Sequence, residues 1–287
     1  MTPLQVLESW LHRRLPKPAF SWLREQAGKV ATDAGDAGLY MAVSLVTRKI
    51  GKQDLDATAE ERRVADEARG GWDPTDWSLD QAARLYLLLS SGADGTRFAH
   101  RLDQLCATAD IGELVAFYRG LPLYPDPQRH VKRAAEGVRS NMKAVFQAVA
   151  HRNPYPSEQL PEGAWNQMVL KALFVGVKLD PIVGLDRRAN PALARMLTDY
   201  AHERWAASRT ISPELWRCVG PFADAGSLED LKRVLASGTD NERAAAALAL
   251  TDAKRPEAAD LLKHSHPVLV QSIGEGRLTW RSLAQAI

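Results

Sequence analysis

A helical repeat of apolar residues runs through the whole chain. From Leu4 onward, apolar side chains return every three or four positions, the spacing that places them on one face of an α-helix. Strands would need Val, Ile, Thr and aromatic residues in alternation with polar ones, and no segment has a clear run of that kind. With 287 residues, the chain is long enough to bury a large core. The sequence therefore predicts an all-α protein built as a multi-helix superhelical array.

Cap residues and prolines divide this pattern into predicted helices at about 3–15, 18–30, 36–48, 57–69, 77–90, 94–107, 110–119, 127–151, 163–175, 190–207, 212–218, 226–237, 240–252, 255–263, 266–273 and 278–286. The longest carries an apolar stripe of Val131, Ala135, Val138, Met142, Val145 and Val149. Its opposite face holds Arg129, Lys132, Arg133, Glu136, Arg139 and Lys143. We favour a solvated helix face for this basic surface. A docking surface for an acidic partner or a phosphate is the alternative.

The C-terminal third alternates short Ala- and Leu-rich helices with short polar turns. Asp240 is placed to cap one of these helices, and Pro256 stands at the start of the next, where its missing N–H costs nothing. Pairs of short helices with small residues at their contacts are typical of HEAT-like repeats. We therefore predict a helical domain at residues 1–222 and a HEAT-like C-terminal part at 223–287 that packs on it, with the turn at 220–226 between them.

Composition and motifs exclude several classes of protein. A net charge of +2 argues against a nucleic-acid-binding protein, and two cysteines without a CxxC motif argue against a zinc finger or a disulfide scaffold. The first residues form an amphipathic helix rather than a signal peptide, and no stretch approaches the roughly 18 apolar residues of a transmembrane segment. No Gly-rich phosphate loop or GxSxG motif is present. We expect a cytoplasmic protein that uses no metal and no cofactor.

Residues 151–217 are unusually rich in polar side chains and tryptophan. Within the predicted helix at 163–175, Trp165 lies on the apolar face, whereas Asn166, Gln167 and Lys171 do not. Gln167 and Lys171 are four residues apart and therefore share one face of the helix. Asn166, Gln167 and Lys171 are candidate ligand-binding residues.

The next predicted helix, at 190–207, has Asn190 as its N-cap, and it carries two carboxylates and an imidazole close together. His202 and Glu203 follow Asp199 by three and four residues, so the three side chains can act as acid and base or bind a metal. They are candidate catalytic residues. A surface of ion pairs around Arg195 is the structural alternative, and the HExxH motif of zinc proteases is absent.

Arg187 and Arg188 stand directly before this helix. A helix N-terminus offers free N–H groups and a positive dipole end, so two guanidinium groups there form a candidate anion site for a phosphate or a carboxylate. Ion pairs with Asp186 or Glu203 are the alternative.

Three segments of this region resemble the bacterial EboA family: "NPYPSEQLPEGAWNQMVLKALFVG", "LDRRANPALARMLTDYAHERWAASR" and "SPELWRCVGPF". The similarity extends more loosely over the remaining chain. The resemblance implies genes next to those for a prenyltransferase, a sugar-phosphate cyclase, a hydrolase and a sugar-isomerase-like protein. It also implies a role in moving precursors of secondary metabolites. It supplies no catalytic residue.

Two functions are compatible with these observations. The first is a non-catalytic helical-repeat protein that binds a pathway metabolite, with an anionic metabolite as one option, or that holds other proteins of the gene cluster together. The second is an enzyme that acts on a phosphorylated or polyol intermediate. We favour the first. An enzyme would need Lys171, Arg187, His202 and Glu203 to converge on one pocket.

Overall fold

The computed structural model describes residues 1–32, 36–92 and 94–287, and within these ranges the protein is all-α, as predicted. Nineteen α-helices and three short 3-10 turns account for the secondary structure there, and the described residues form no β-strand. None of the described helices is both long and apolar enough to cross a membrane. The chain divides into two compact units, 1–160 and 161–287.

The first unit contains ten α-helices. They are α1 (Pro3–Arg14), α2 (Lys17–Thr32), α3 (Ala37–Ile50), α4 (Ala59–Ala68), α5 (Leu79–Ser90), α6 (Gly95–Thr108), α7 (Ile111–Arg119), α8 (Val131–Arg139), α9 (Lys143–Ala150) and α10 (Tyr155–Gln159). Helix α5 is central, because α1, α2, α3 and α7 all pack on it. Its sequence is apolar on nearly every side, which is typical of a buried helix.

The second unit contains the other nine. They are α11 (Glu162–Phe174), α12 (Leu185–Arg188), α13 (Pro191–Ala206), α14 (Leu215–Val219), α15 (Ala225–Ser237), α16 (Asp240–Asp252), α17 (Pro256–Ser265), α18 (Pro267–Gly274) and α19 (Trp280–Ala286). The alanine-rich α16 is central and packs on α14, α15, α17 and α19. Small residues permit close approach there. A Cβ added at Gly220 would lie 2.6 Å from the carbonyl oxygen of Ala249.

The break between the two units comes earlier in the chain than the predicted boundary near residue 222. That predicted boundary falls between the 3-10 turn Gly220–Phe222 and α15. The separate folding of residues 223–287 and their HEAT-like character stay predictions.

The prediction of one long helix at 127–151 was wrong. The chain forms a 3-10 turn at Pro127–His130, then α8, and it breaks at Ser140 before α9 begins. Ser140 is extended (φ −57°, ψ 138°), and its hydroxyl accepts a hydrogen bond of 3.1 Å from the N–H of Met142. Because of this break, α9 packs back on α8, where a Cβ at Gly137 would lie 2.6 Å from Val149.

The basic face predicted for that helix is partly neutralised. The Arg133 guanidinium forms ion pairs with Asp103 and with Glu136, the latter at 2.7 Å. Arg129 pairs with Asp126 at 3.3 Å. These ion pairs favour the solvated-face interpretation over a docking surface.

One histidine of the first unit, His130, is buried. His130 is 1% exposed, lies beside Phe98 and Tyr124, and its Nε2 is 2.9 Å from the carbonyl oxygen of Pro125. Burial lowers the pKa of His130, against smaller opposing effects of the Pro125 hydrogen bond and nearby carboxylates. At pH values between the lowered pKa of His130 in the folded state and its unfolded value of about 6.5, the unfolded chain binds more protons than the folded protein.

We therefore expect the free energy of unfolding to fall as the pH drops below about 6.5. His130→Gln keeps an N–H donor for Pro125 but does not titrate, so its stability should depend less on pH. Urea unfolding of both proteins between neutral and mildly acidic pH measures this difference. Equal pH slopes in the two proteins would show that His130 is not the responsible group.

Candidate functional site

Two helices of the second unit carry most of the predicted site residues. Helix α11 buries one face, which includes Trp165, and it ends at a left-handed glycine, Gly176 (φ 64°). Helix α13 begins as predicted: the Asn190 side chain accepts a hydrogen bond of 2.9 Å from the N–H of Leu193. The two helices pack on each other, and each has a basic residue in its last turn, where it stabilises the negative end of the helix dipole.

The Asn166 side chain contacts the N-cap residue of α13, and its role as a ligand-binding residue stays a prediction. Asn166 is 3% exposed, and its amide pairs with that of Asn190 through two reciprocal hydrogen bonds of 3.2 and 2.9 Å. The Asn190 amide also donates to the carbonyl oxygen of Arg188. This pair fixes the start of α13 against α11, and it uses one donor and one acceptor of the Asn166 amide.

Gln167 and Lys171 line one groove, as expected from their shared face. This α11–α13 groove has a volume of about 290 Å³. It is lined from α11 by Gln167, Leu170, Lys171 and Phe174, and from α13 and the following turn by Tyr200, Glu203, Arg204 and Arg209. The Phe174 side chain is 75% exposed although it belongs to one of the most apolar residue types. The groove therefore combines an uncovered aromatic ring with several charged groups.

The charges in the groove are mainly positive. Three of its residues are cations and one, Glu203, is an acid. Arg204 donates from Nε and one Nη atom to the carbonyl oxygen of Thr210, at 3.0 and 2.8 Å, which holds its guanidinium in place. Burial lowers the pKa of Lys171, because desolvation disfavours the ammonium form. A bound anion would offset that cost.

The two arginines before α13 are placed differently from each other. Arg187 is exposed, whereas the guanidinium of Arg188 lies 4.8 Å from the centre of the Trp165 ring, within the range of a cation–π contact. Asp186, one expected partner, instead forms two hydrogen bonds with Arg217, at 2.6 and 2.7 Å. Neither Arg187 nor Arg188 lines the α11–α13 groove.

The three candidate catalytic residues lie on two sides of α13. Asp199 and His202 line a second depression of about 460 Å³, formed with Arg195, Asp224 and Ser227. Glu203 faces the α11–α13 groove instead. His202 Nε2 lies 2.8 Å from an Asp230 carboxylate oxygen, and its ring lies 5.8 Å from that of Trp205.

The convergence that an enzyme would require is therefore not observed. Lys171 and Glu203 share one groove, His202 lies in another depression, and Arg187 lines neither. Of the residues that the structure describes, no three His, Cys, Asp or Glu side chains are grouped so that they could hold a metal ion.

Sequence reasoning missed half of the groove. Phe174 fits the apolar face of its helix and therefore looked like a core residue, although its side chain is mostly exposed. Arg209 follows α13 after a left-handed residue, Ser208 (φ 53°), which turns the chain back toward the groove. No local signal marked Arg209, because its position depends on this turn and not on the spacing of a helix.

Comparison with known proteins gives one match. A family model described as metabolite traffic protein EboA matches residues 4–220, which is most of the chain and includes α11, α13 and the groove between them. No curated protein and no solved structure matches. The match covers the first two segments on which the sequence resemblance rests and all but the last two residues of the third. The chain belongs to the EboA family.

Proposed function

We propose that the protein binds a small metabolite in the α11–α13 groove, and that this binding is its contribution to the metabolite traffic of its family. The observation that carries the proposal is the exposed ring of Phe174 beside Lys171, Arg204 and Arg209. The Phe174 ring is 75% exposed, so a ligand that covers it is stabilised by the burial of apolar surface. This contribution is roughly 25 cal/mol for each Å² buried.

The groove chemistry supports a ligand with an apolar or aromatic body and an acidic group. The apolar body would pack on Phe174, Leu170 and Tyr200. The acidic group would meet Arg209, since arginine binds carboxylate and phosphate groups through two parallel hydrogen bonds. Arg204 would add its positive charge, because its Nε and one Nη already donate to Thr210. Lys171 would add a third cation, and pairing with the acidic group would compensate for its burial.

This function requires no reaction, and the separate positions of His202 and Glu203 favour binding over catalysis. We propose a cytoplasmic site of action, with a pathway intermediate as ligand and other proteins of the gene cluster as partners. Holding those proteins together is compatible with ligand binding and would use other surfaces.

Mass spectrometry of co-purified small molecules tests the proposal. The protein is expressed together with the neighbouring genes and purified under native conditions, and the molecules released on denaturation are identified. We expect one compound with an acidic group and an apolar body to be enriched. Phe174→Ala should reduce its recovery about tenfold, the effect of losing a large part of one buried aromatic contact.

Met41→Ala is the matched control, because Met41 is also a large hydrophobic side chain and is 63% exposed, but it lies on α3. This variant should retain the compound. Equal losses in both variants, or recovery that is unchanged in Phe174→Ala, would refute binding in the α11–α13 groove.

A further inference from the structure

The first unit contains a polar cavity that shares no residue with the α11–α13 groove. It has a volume of about 130 Å³, and its walls include Trp77, Arg119, Gln147 and Arg152. Trp77 is 3% exposed and forms an apolar wall, and its ring is tilted against that of Trp72 at 5.8 Å between ring centres. Liquid water takes about 30 Å³ per molecule, so the cavity has the space of about four waters. That space suits a single small polar group.

Two guanidinium groups meet at this cavity. Arg119 donates from Nη1 to the carbonyl oxygen of Asp76 and to Gln81 Oε1, the latter at 2.6 Å. Arg152 pairs through Nη1 with the Asp76 carboxylate, and its Nε lies 3.5 Å from Asp73. Within residues 1–32, 36–92 and 94–287, no hydrogen-bond partner satisfies Nε and Nη2 of Arg119 or Nη2 of Arg152. Both arginines therefore have N–H groups that can donate to a further hydrogen-bond acceptor.

The charges around the cavity favour an anion as the group that accepts hydrogen bonds from Arg119 and Arg152. Burial lowers the pKa of Arg119, and repulsion by Arg152 acts in the same direction, while Asp76 opposes them. Two cations and one carboxylate line the cavity. A bound anion would relieve the repulsion between the arginines and would compensate for the desolvation of Arg119.

The backbone holds this arrangement in a fixed geometry. Asp76 (φ 67°) and Arg152 (φ 48°) both adopt the left-handed region, which non-glycine residues seldom occupy and which is found disproportionately at ligand sites. The Asn153 amide donates to the carbonyl oxygens of Tyr118 and Ala148, at 3.0 Å each, and thereby fixes the turn that carries Arg152. The donors are thus already in position before a ligand arrives, which lowers the entropic cost of binding.

From this geometry we propose that the cavity binds an oxyanion of a small molecule, a phosphate or a carboxylate, between Arg119 and Arg152, with the Gln147 amide as an additional hydrogen-bonding group. Arginine presents a planar fork of N–H donors that matches both groups. The proposal does not depend on ligand binding in the α11–α13 groove, because it rests on other residues in the other unit.

Thermal unfolding in phosphate, acetate and chloride, each at the same ionic strength, tests this site and separates the two kinds of oxyanion. We expect millimolar phosphate or acetate to raise the melting temperature more than chloride does, and the more effective of the two identifies the group.

Arg152→Gln should weaken the apparent affinity about tenfold or more, as expected for the loss of a charge-assisted hydrogen bond. Gln147→Glu should abolish the difference between the anions by placing a negative charge in the cavity.

Two control variants make the result specific. Arg48→Gln removes an exposed arginine outside the cavity and should leave the anion response intact. The double variant Arg187→Ala, Arg188→Ala removes the other predicted anion site and should also leave it intact. The proposal is wrong if the wild-type protein responds equally to all three salts. The proposal is also wrong if Arg152→Gln and Gln147→Glu keep the full difference in melting temperature between the oxyanions and chloride. A loss of this difference in the Arg187→Ala, Arg188→Ala variant alone would likewise contradict it.

Discussion

Replacing Trp165 by alanine should lower the free energy of unfolding by about 3–5 kcal/mol, the usual cost of truncating a large aromatic side chain in a core. Trp165 is fully buried on α11, and the Arg188 guanidinium lies over its ring. The substitution removes both the packing and the cation–π contact, and it leaves a cavity in the core. Equilibrium unfolding in urea measures the change.

Phe174→Ala on the same helix is the control for this measurement. Its side chain is 75% exposed, so truncation should hardly change the unfolding transition. A large loss of stability in Phe174→Ala together with a small one in Trp165→Ala would reverse the assignment of buried and exposed faces on α11. The proposed binding role of Phe174 would then lose its basis.

Asp80→Ala should destabilise the first unit by roughly 3–5 kcal/mol, because it leaves a buried guanidinium without its carboxylate. Arg84 is 2% exposed within the central helix α5, and its Nη1 donates to Asp80 at 2.6 Å. Its other Nη atom donates to Thr47 at 2.7 Å and lies 3.5 Å from Glu113, so α3 and α7 both contact this charge. Denaturant unfolding followed by circular dichroism tests the prediction.

An exposed ion pair provides the comparison. Glu25 and Lys29 lie four residues apart on α2, and their side chains are 60% and 63% exposed. Glu25→Ala should therefore leave the midpoint of unfolding nearly unchanged, since solvent screens such pairs. Equal effects of Glu25→Ala and Asp80→Ala would mean that the Arg84 charge is stabilised mainly by Thr47 and Glu113.

Local signals in the sequence were sufficient for the fold class and for most helices. Asn190 and Pro191 define the start of α13, because an N-cap and a first-turn proline act within a few residues. The break after α8 was not predictable in this way. Ser140 fits a helix as well as a turn, and the break depends on the close packing of Gly137 against Tyr118 and Val149, which are distant in sequence or on the other side of the break.

Within the candidate site, the sequence could predict only which residues of a single helix share a face. Gln167 and Lys171 share a face by their spacing, and they line the same groove. The partner of Asn166 lies 24 residues away, so this contact depended on tertiary packing. His202 and Glu203 are neighbours in sequence but point to different sides, because successive residues on a helix are about 100° apart. The polar cavity of the first unit brings together three chain segments and had no local signal.

A crystal structure of the protein purified from cells that express the neighbouring genes tests the central claim most directly. We predict density for a small molecule in the α11–α13 groove, with its apolar part on Phe174 and its acidic group within hydrogen-bond distance of Arg209. A metabolite bound elsewhere on the chain, with the groove occupied only by solvent, would contradict the assignment of this groove as the metabolite site.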